Sequence, residues 1–405
     1  MKQAVMYGAG NIGRGFIGAL FSLSGYHVTF VDVAEEVVRQ LRERQAYPIR
    51  YIAGTETEDV LIEHVTAVNG NDTEQVSDVI ASCDIMATAV GARIMPLIAP
   101  VLADAIRKRF RAGGGALNII ICENLMDANK ILEGLLKEHL TEEERVWMDE
   151  NVGLVEASIG RMVPVQTDEM HDGDALRVCE ERYGFLPVDR DAFRGEIPDI
   201  RNMVPYSPFD FYLKRKLYVH NMGHSTCAYL GEYLGLGFIY EAIDVAEIRV
   251  LVQNAMLESA SALSGKYGVP LDRIEPHIGD LLYRFTNAAL GDTCARVGGD
   301  PARKLSPADR MIGSATLAME QGITPSYITV GAAAAVRRYI EETDGMSQSE
   351  ESAVTVLREV SGLSGTDALS ELILERYRMF LDGKSLTEVR RFADDAKASY
   401  RGRVI

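Results

Sequence analysis

Cysteine is scarce and scattered. Five occur, at positions 83, 122, 179, 227 and 294. Their odd number, wide spacing and lack of any C-x-x-C pair exclude a disulfide framework and a thiolate zinc cluster, and fit reduced structural thiols. Positive charge is also in deficit, with 42 Lys and Arg against 59 Asp and Glu and a formal net charge of −17. That balance excludes nucleic acid and anionic membrane surfaces as partners, but leaves room for an anionic small molecule wherever basic residues cluster locally. No apolar run approaches the ~20 residues of a membrane span, and there is no internal repeat or low-complexity tract. The opening Met1-Lys2-Gln3-Ala4-Val5-Met6-Tyr7 has no charged start, apolar core and cleavage site of a secretory leader, so the expected compartment is the cytoplasm.

What remains is an ordinary globular composition, 47% hydrophobic and 25% charged, over 405 residues. That is too much chain for one core, so two domains are expected, 1–204 and 205–405. The first half opens with a strand at 2–7 that runs into Gly8-Ala9-Gly10-Asn11-Ile12-Gly13. A helical pattern through Phe16, Ile17, Leu20 and Phe21 follows, and then a second strand ends in Asp32. A G-x-G-x-x-G turn between strand and helix, with an acid about twenty residues on, is a dinucleotide-binding fingerprint. Gly8 makes the tight turn, Gly10 lets backbone approach a pyrophosphate, and Gly13 lets helix and strand pack closely. The helix start at Asn11 and Ile12 offers free N–H groups to phosphates. Asp32 suits an adenosine ribose and repels a 2′-phosphate, which predicts NAD rather than NADP.

Further along, short strands are expected over 48–70, a helix over 77–83, and a strand over 85–90. The small-residue loop Thr88-Ala89-Val90-Gly91 falls where ribose and nicotinamide lie in such folds. A helix over 93–111 and a strand over 116–122 lead to Glu123-Asn124, which either line the nucleotide site or cap the next helix. The fold class predicted is α/β, a doubly wound Rossmann-type sheet followed by an all-helical domain from residue 205. The cleft between two such domains is the default ligand site.

The second half carries Lys214-Arg215-Lys216-Leu217-Tyr218-Val219-His220-Asn221-Met222-Gly223-His224 near its start. Oxidation of an alcohol by hydride transfer needs a base for the hydroxyl proton, and the reverse reaction needs donors on the carbonyl oxygen. A lysine with a lowered pKa is a suitable base, and an amide and an imidazole suit the oxygen. At about 100° per residue Asn221 and His224 share a helix face. By the same count Lys214 falls near Asn221 and Lys216 further round, so periodicity does not choose between the lysines. His220 and His224 have the i, i+4 spacing of a zinc site, but Asn221 stands where a metalloprotease carries glutamate, and no metal is expected. A shaped loop, Arg296 to Lys304 with Arg310 just beyond, gathers cations in an acidic chain. It suits a phosphate or a polyol's hydroxyls, and equally a solvated turn paired with Asp292, Asp300 and Asp309.

Taken together, G-A-G-N-I-G-R-G, T-A-V-G, C-E-N, K-x-x-x-x-N-x-x-H and R-x(7)-K resemble the polyol-specific long-chain dehydrogenases over nearly the whole length. The resemblance implies Lys216, rather than Lys214, as general acid/base, Asn221 and His224 as the groups that orient and polarise the reacting oxygen, and Arg296 and Lys304 as substrate-binding residues. It implies interconversion of D-mannitol 1-phosphate and D-fructose 6-phosphate, with a free polyol or a hexuronate as alternatives, by a monomer or small homo-oligomer. One departure bears on the substrate. The family commonly reads V-D-R-I before a proline, whereas here the run is Ile159-Gly160-Arg161-Met162.

Overall fold

The structure, a computed structural model, describes residues 1–125 and 127–404, with side chains as far as residue 397. It divides into two compact units, Met1–Asp210 and Phe211–Ile405. The strands of the first are β1 (Lys2–Tyr7), β2 (Tyr26–Asp32), β3 (Ala46–Ala53), β4 (Glu56–Glu63), β5 (Val65–Asn69), β6 (Ile85–Thr88), β7 (Leu117–Ile121), β8 (Val152–Glu156), β9 (Val178–Glu180), β10 (Leu186–Asp189) and β11 (Met203–Tyr206).

Six of them form a sheet in the order β5-β2-β1-β6-β7-β8, parallel throughout. With the hairpin set aside this is the doubly wound order 3-2-1-4-5-6. A parallel sheet is covered on both faces, and its strands therefore read as unbroken apolar runs. In β1, Ala4 and Met6 enter the core on one face while Val5 and Tyr7 enter that on the other. The expected run of short strands over 48–70 splits between two sheets. β3 and β4 form an antiparallel hairpin that β9 joins in parallel, while β5 returns to the main sheet beside β2.

The second unit is helical. Met222–Tyr233, Ala246–Tyr267 and Ile328–Glu342 pack at its centre. Glycine sets their separation: a Cβ on Gly223 would stand 2.0 Å from Met256 Cε, and one on Gly331 2.3 Å from Thr226 Oγ1. Ile239–Asp244 and Ala246–Tyr267 are separate helices, because Val245 between them is extended. Glu275–Phe285 and Ile312–Glu320 are further helices of this unit.

The α-helical register expected at two places gives way to π-helix. Gly13–Gly18 is a π-turn that leads into Ala19–Leu23, and Lys216–Asn221 is a π-turn between Asp210–Arg215 and Met222–Tyr233. Hydrogen bonds that close from i to i+5 insert a residue into the helical count and re-aim the side chains beyond it, a feature concentrated at functional sites. No described helix is long and apolar enough to cross a membrane.

The glycine contacts make a contrast that can be measured. A Cβ on Gly13 would lie 1.9 Å from the Gly8 carbonyl oxygen, while one on Gly10 would meet nothing within 4 Å. Urea unfolding should show Gly13→Ala destabilised by roughly 2–3 kcal/mol, as for an overpacked site, and Gly10→Ala changed by less than about 1 kcal/mol.

Candidate active site

The glycine turn is fastened from below by the acid that ends β2. The Ala9 N–H donates to Asp32 Oδ2 at 2.6 Å, and the Ala34 N–H donates to Oδ1 at 2.9 Å. Gly8 adopts φ +102°, and a Cβ there would stand 2.5 Å from the Ala89 carbonyl oxygen, so the turn touches the loop after β6. Gly10, by contrast, presents an open side at the start of the helix that begins at Asn11 and Ile12. Arg14 is buried and donates to the Ala9 carbonyl at 2.5 Å, while Tyr47 Oη donates to the Arg14 carbonyl at 2.6 Å. Open backbone at a helix start, with a half-buried carboxylate at the adjacent strand end, fits a dinucleotide's pyrophosphate and ribose.

Thr88, at the end of β6, is buried with an Oγ1 that has no hydrogen-bond partner among the described residues. Beyond it, the Val90 and Gly91 N–H groups donate to the two carboxylate oxygens of Glu123 at 3.0 and 2.7 Å. Glu123 therefore holds that loop and does not cap the following helix, and Asn124 is exposed. Burial raises the carboxyl of Glu156, at the end of β8, and the Ala128 and Asn129 backbone at the start of the helix Ala128–Glu138 opposes the rise. Gly160 faces Tyr183, whose Cε1 would lie 3.0 Å from an added Cβ. Its neighbour Arg161 pairs with the fully buried Glu180 and stacks over Phe16 at 4.3 Å.

In the helical unit, the π-turn changes the spacing on which the sequence comparison of the two lysines rests. Lys216 and Asn221 are its first and last residues, one i to i+5 turn apart, whereas 100° per residue would set them far round from each other. Lys214 instead lies over the Tyr267 ring at 6.0 Å. Lys216 is partly buried and makes no hydrogen bond or ion pair among the described residues. Burial, with Arg310 adding to it, lowers its pKa to about 8. The Asn221 side chain likewise has no hydrogen-bond partner among the described residues.

His224, one helical turn on, stacks against Phe285 with ring centroids 4.6 Å apart and planes 15° apart. Burial first, then Arg296 and other cations, lowers its pKa to about 3, so it is a neutral imidazole. Its Nε2 lies 3.6 Å from Asp292 Oδ2, and Asp292 Oδ1 pairs with Arg296. His220, its ring 6.1 Å from that of His224 and 6.2 Å from Phe285, is held neutral by burial and then Arg284. Among the described residues, no group of three or more His, Cys, Asp and Glu side chains is placed to hold a metal ion.

The expected loop from Arg296 to Lys304 is two short helices, Cys294–Gly298 and Pro301–Lys304, because Thr293 and Asp300 each cap one by accepting from the N–H three residues on. Arg296 is half-exposed, whereas Lys304 is buried and has no ion-pair partner among the described residues. Burial, then Arg310 and Arg303, lowers the Lys304 pKa to about 8. Arg303 and Arg310 share Asp309, at 3.2 and 2.8 Å. Tyr218 Oη, from the π-turn, donates to the Ala308 carbonyl at 3.2 Å and ties the two segments together. Two members of the cluster escaped sequence reasoning as site residues. Arg310 was visible as a cation just past the loop, but its reach to Lys216, His224 and Lys304 was not. Asp292 precedes Arg296 by four residues, which suggests only a local ion pair.

Family models match both units, "Mannitol dehydrogenase Rossmann domain" over residues 2–202 and "Mannitol dehydrogenase C-terminal domain" over 209–401. The chain is 35% identical to a Brevibacillus brevis protein named mannitol-1-phosphate 5-dehydrogenase, over 93% of this chain and 97% of that one. It is 36% identical to the Bacillus subtilis protein of the same name, over 92% and 99%. Its fold is that of a D-sorbitol dehydrogenase (TM-score 0.78, 15% identity, 96% of this chain and 94% of that one). It is also that of Pseudomonas fluorescens mannitol 2-dehydrogenase, solved with NAD and D-mannitol (TM-score 0.74, 16% identity, 96% and 94%).

The electrostatics of Lys216 give a direct test. A lysine whose folded pKa is lowered gains its proton only below the new value, so removing the cation that helps to lower it should move the titration up. Competitive acetylation across pH, read by mass spectrometry, should place Lys216 near pH 8 in the native protein, higher in Arg310→Gln, and unmoved in Arg310→Lys.

Proposed function

The chain belongs to the mannitol dehydrogenase family, and we propose that it interconverts D-mannitol 1-phosphate and D-fructose 6-phosphate with NAD as the hydride carrier. The observation that carries the reading is Lys216, an amine with no hydrogen-bond or ion-pair partner among the described residues, its pKa lowered to about 8 by burial and Arg310. Such a group is the free base near neutral pH in a substantial fraction, and the acid in the rest, as a reversible dehydrogenase requires.

In oxidation the Lys216 amine takes the proton of the C5 hydroxyl as hydride leaves C5. In reduction its ammonium returns a proton to the oxygen. Asn221 and His224 hold the reacting oxygen, and Asn221 has free amide donors for the charge that develops there. Arg296 and Lys304 bind the substrate, and the surplus of cations around Lys304 favours a phosphate over a hydroxyl at the far end. Gly8, Gly10, Asn11, Ile12 and Gly13 would hold the pyrophosphate of NAD and Asp32 the adenosine ribose. Thr88, Val90, Gly91 and Glu123, with Asn124, would shape the wall beside the nicotinamide. When bound, NAD supplies two-electron hydride acceptance and donation.

The reading places the protein in the cytoplasm, as a monomer or small homo-oligomer acting on a small molecule without nucleic acid or membrane. All five cysteines are buried and unpaired, and burial raises the Cys83 thiol to about 12, the state of thiols kept reduced.

Replacing the base tests the assignment. Lys216→Ala should lower NADH oxidation with fructose 6-phosphate by roughly a thousandfold or more, the range for losing a general acid/base, with NADH affinity by fluorescence titration within about twofold. Turnover retained in the variant would overturn it. Equal rates of the native protein with fructose and fructose 6-phosphate would keep the dehydrogenase but move its substrate to a free polyol.

A further inference from the structure

Asp292 lies between two residues that the proposed function assigns to the substrate. One carboxylate oxygen is 3.6 Å from His224 Nε2, and the other pairs with the Arg296 guanidinium. We propose that Asp292 is a positioning residue, which accepts from His224 Nε2–H, fixes the imidazole in that tautomer and leaves Nδ1 as an acceptor for a substrate hydroxyl. The inference rests on the proposed function only in taking His224 and Arg296 as groups that meet the substrate.

A neutral imidazole carries one N–H, and an ionised carboxylate offers only acceptors, so the proton sits on the nitrogen that faces it. Among the described residues, no carboxylate other than Asp292 lies within 4 Å of a His224 nitrogen. The charges around the ring are otherwise positive, from Arg296, Arg310, Arg284 and Lys304, so the ring remains neutral. Nε2 is enclosed and has no hydrogen-bond partner among the described residues, and the Asp292 carboxylate, 3.6 Å away, is the acceptor next to it. Burial raises the Asp292 carboxyl and the paired Arg296 opposes the rise.

The carboxylate is also rigidly presented. The Asp292 carbonyl accepts from the Ile239 N–H at 2.9 Å, and the Cys294 N–H donates to the Gly237 carbonyl at 2.9 Å. Phe238 and Thr293 form an antiparallel bridge between these two bonds, and Thr293 caps the short helix that carries Arg296. The Phe285 ring lies flat on the imidazole from its other side. A carboxylate pinned by its own backbone against a stacked ring sets orientation as well as tautomer, the arrangement that makes a histidine act through one chosen nitrogen.

Two variants in the full-length protein test this. Asp292→Ala removes the acceptor, and Asp292→Asn restores an uncharged one. Long-range 1H–15N correlation spectra, with His224 assigned by its loss in His224→Asn, should show the Nε2–H tautomer in the native protein and in Asp292→Asn. In Asp292→Ala the signal should move to Nδ1–H or to a mixture. With NADH and fructose 6-phosphate, kcat should fall at least roughly tenfold in Asp292→Ala and recover in part in Asp292→Asn, with NADH affinity unchanged in both. If Asp292→Ala fails to fold, Arg296→Met breaks the other contact alone and should keep the Nε2–H tautomer. An unchanged tautomer in Asp292→Ala, or an Asn variant no better than Ala, would overturn the proposal. A tautomer shift in a protein inactive on fructose 6-phosphate would sink the substrate reading and leave this one standing.

Discussion

Cations brought close together repel one another unless an anion joins them, and the helical unit of this acidic protein holds such a gathering. Arg310 acts on both Lys216 and the buried Lys304, the half-exposed Arg303 acts on Lys304 and the half-exposed Arg296 on His224, with Asp292, Asp300 and Asp309 as the nearby acids. The structure relieves part of the cost by lowering the pKa of both lysines to about 8. The remainder is the affinity for an anion. On the proposed function, a phosphate ester that enters such a site supplies the missing charge, while burial, with Arg310 adding to it, leaves Lys216 able to lose its proton. Substrate selection and base activation would then meet at Arg310, which acts on both lysines and on His224.

The nucleotide-binding unit solves a different problem with acids. Two carboxylates sit at or just beyond the carboxyl ends of parallel strands, and each is used first on backbone. Asp32 holds Ala9 and Ala34, and Glu123 holds Val90 and Gly91. Loops at such positions would otherwise carry unpaired N–H groups and move freely. Clamped in this way, they form a surface ordered before any ligand arrives, which reduces what binding must order.

The sheet was legible because its signals are local. Gly8, Gly10 and Gly13 each have a steric reason that follows from spacing, and β6 and β7 read as apolar runs that only a two-faced sheet produces. The π-turns were not legible. Both stretches have ordinary helical composition, and the residue inserted at Lys216–Asn221 alters side-chain direction without altering the pattern of apolar residues. The α-helical count consequently left Lys214 and Lys216 both open, and only family resemblance pointed to Lys216. Arg296 to Lys304 read as a loop because Gly298, Gly299 and Pro301 mask two helices of five and four residues. Asp292 was hidden for another reason. Its contact with His224 spans 68 positions, and no periodicity links an acid before one helix to a histidine within another.

The central claim is that hydride moves between the nicotinamide and one carbon of a sugar phosphate. It is tested most directly by label transfer. The native protein would be incubated with fructose 6-phosphate and NADH deuterated at C4 of the nicotinamide on each face in turn, and the product read by deuterium and carbon NMR. The account predicts deuterium at C5 of mannitol 1-phosphate from one of the two labelled cofactors and none from the other. Deuterium at another carbon, or no transfer from either, would contradict it.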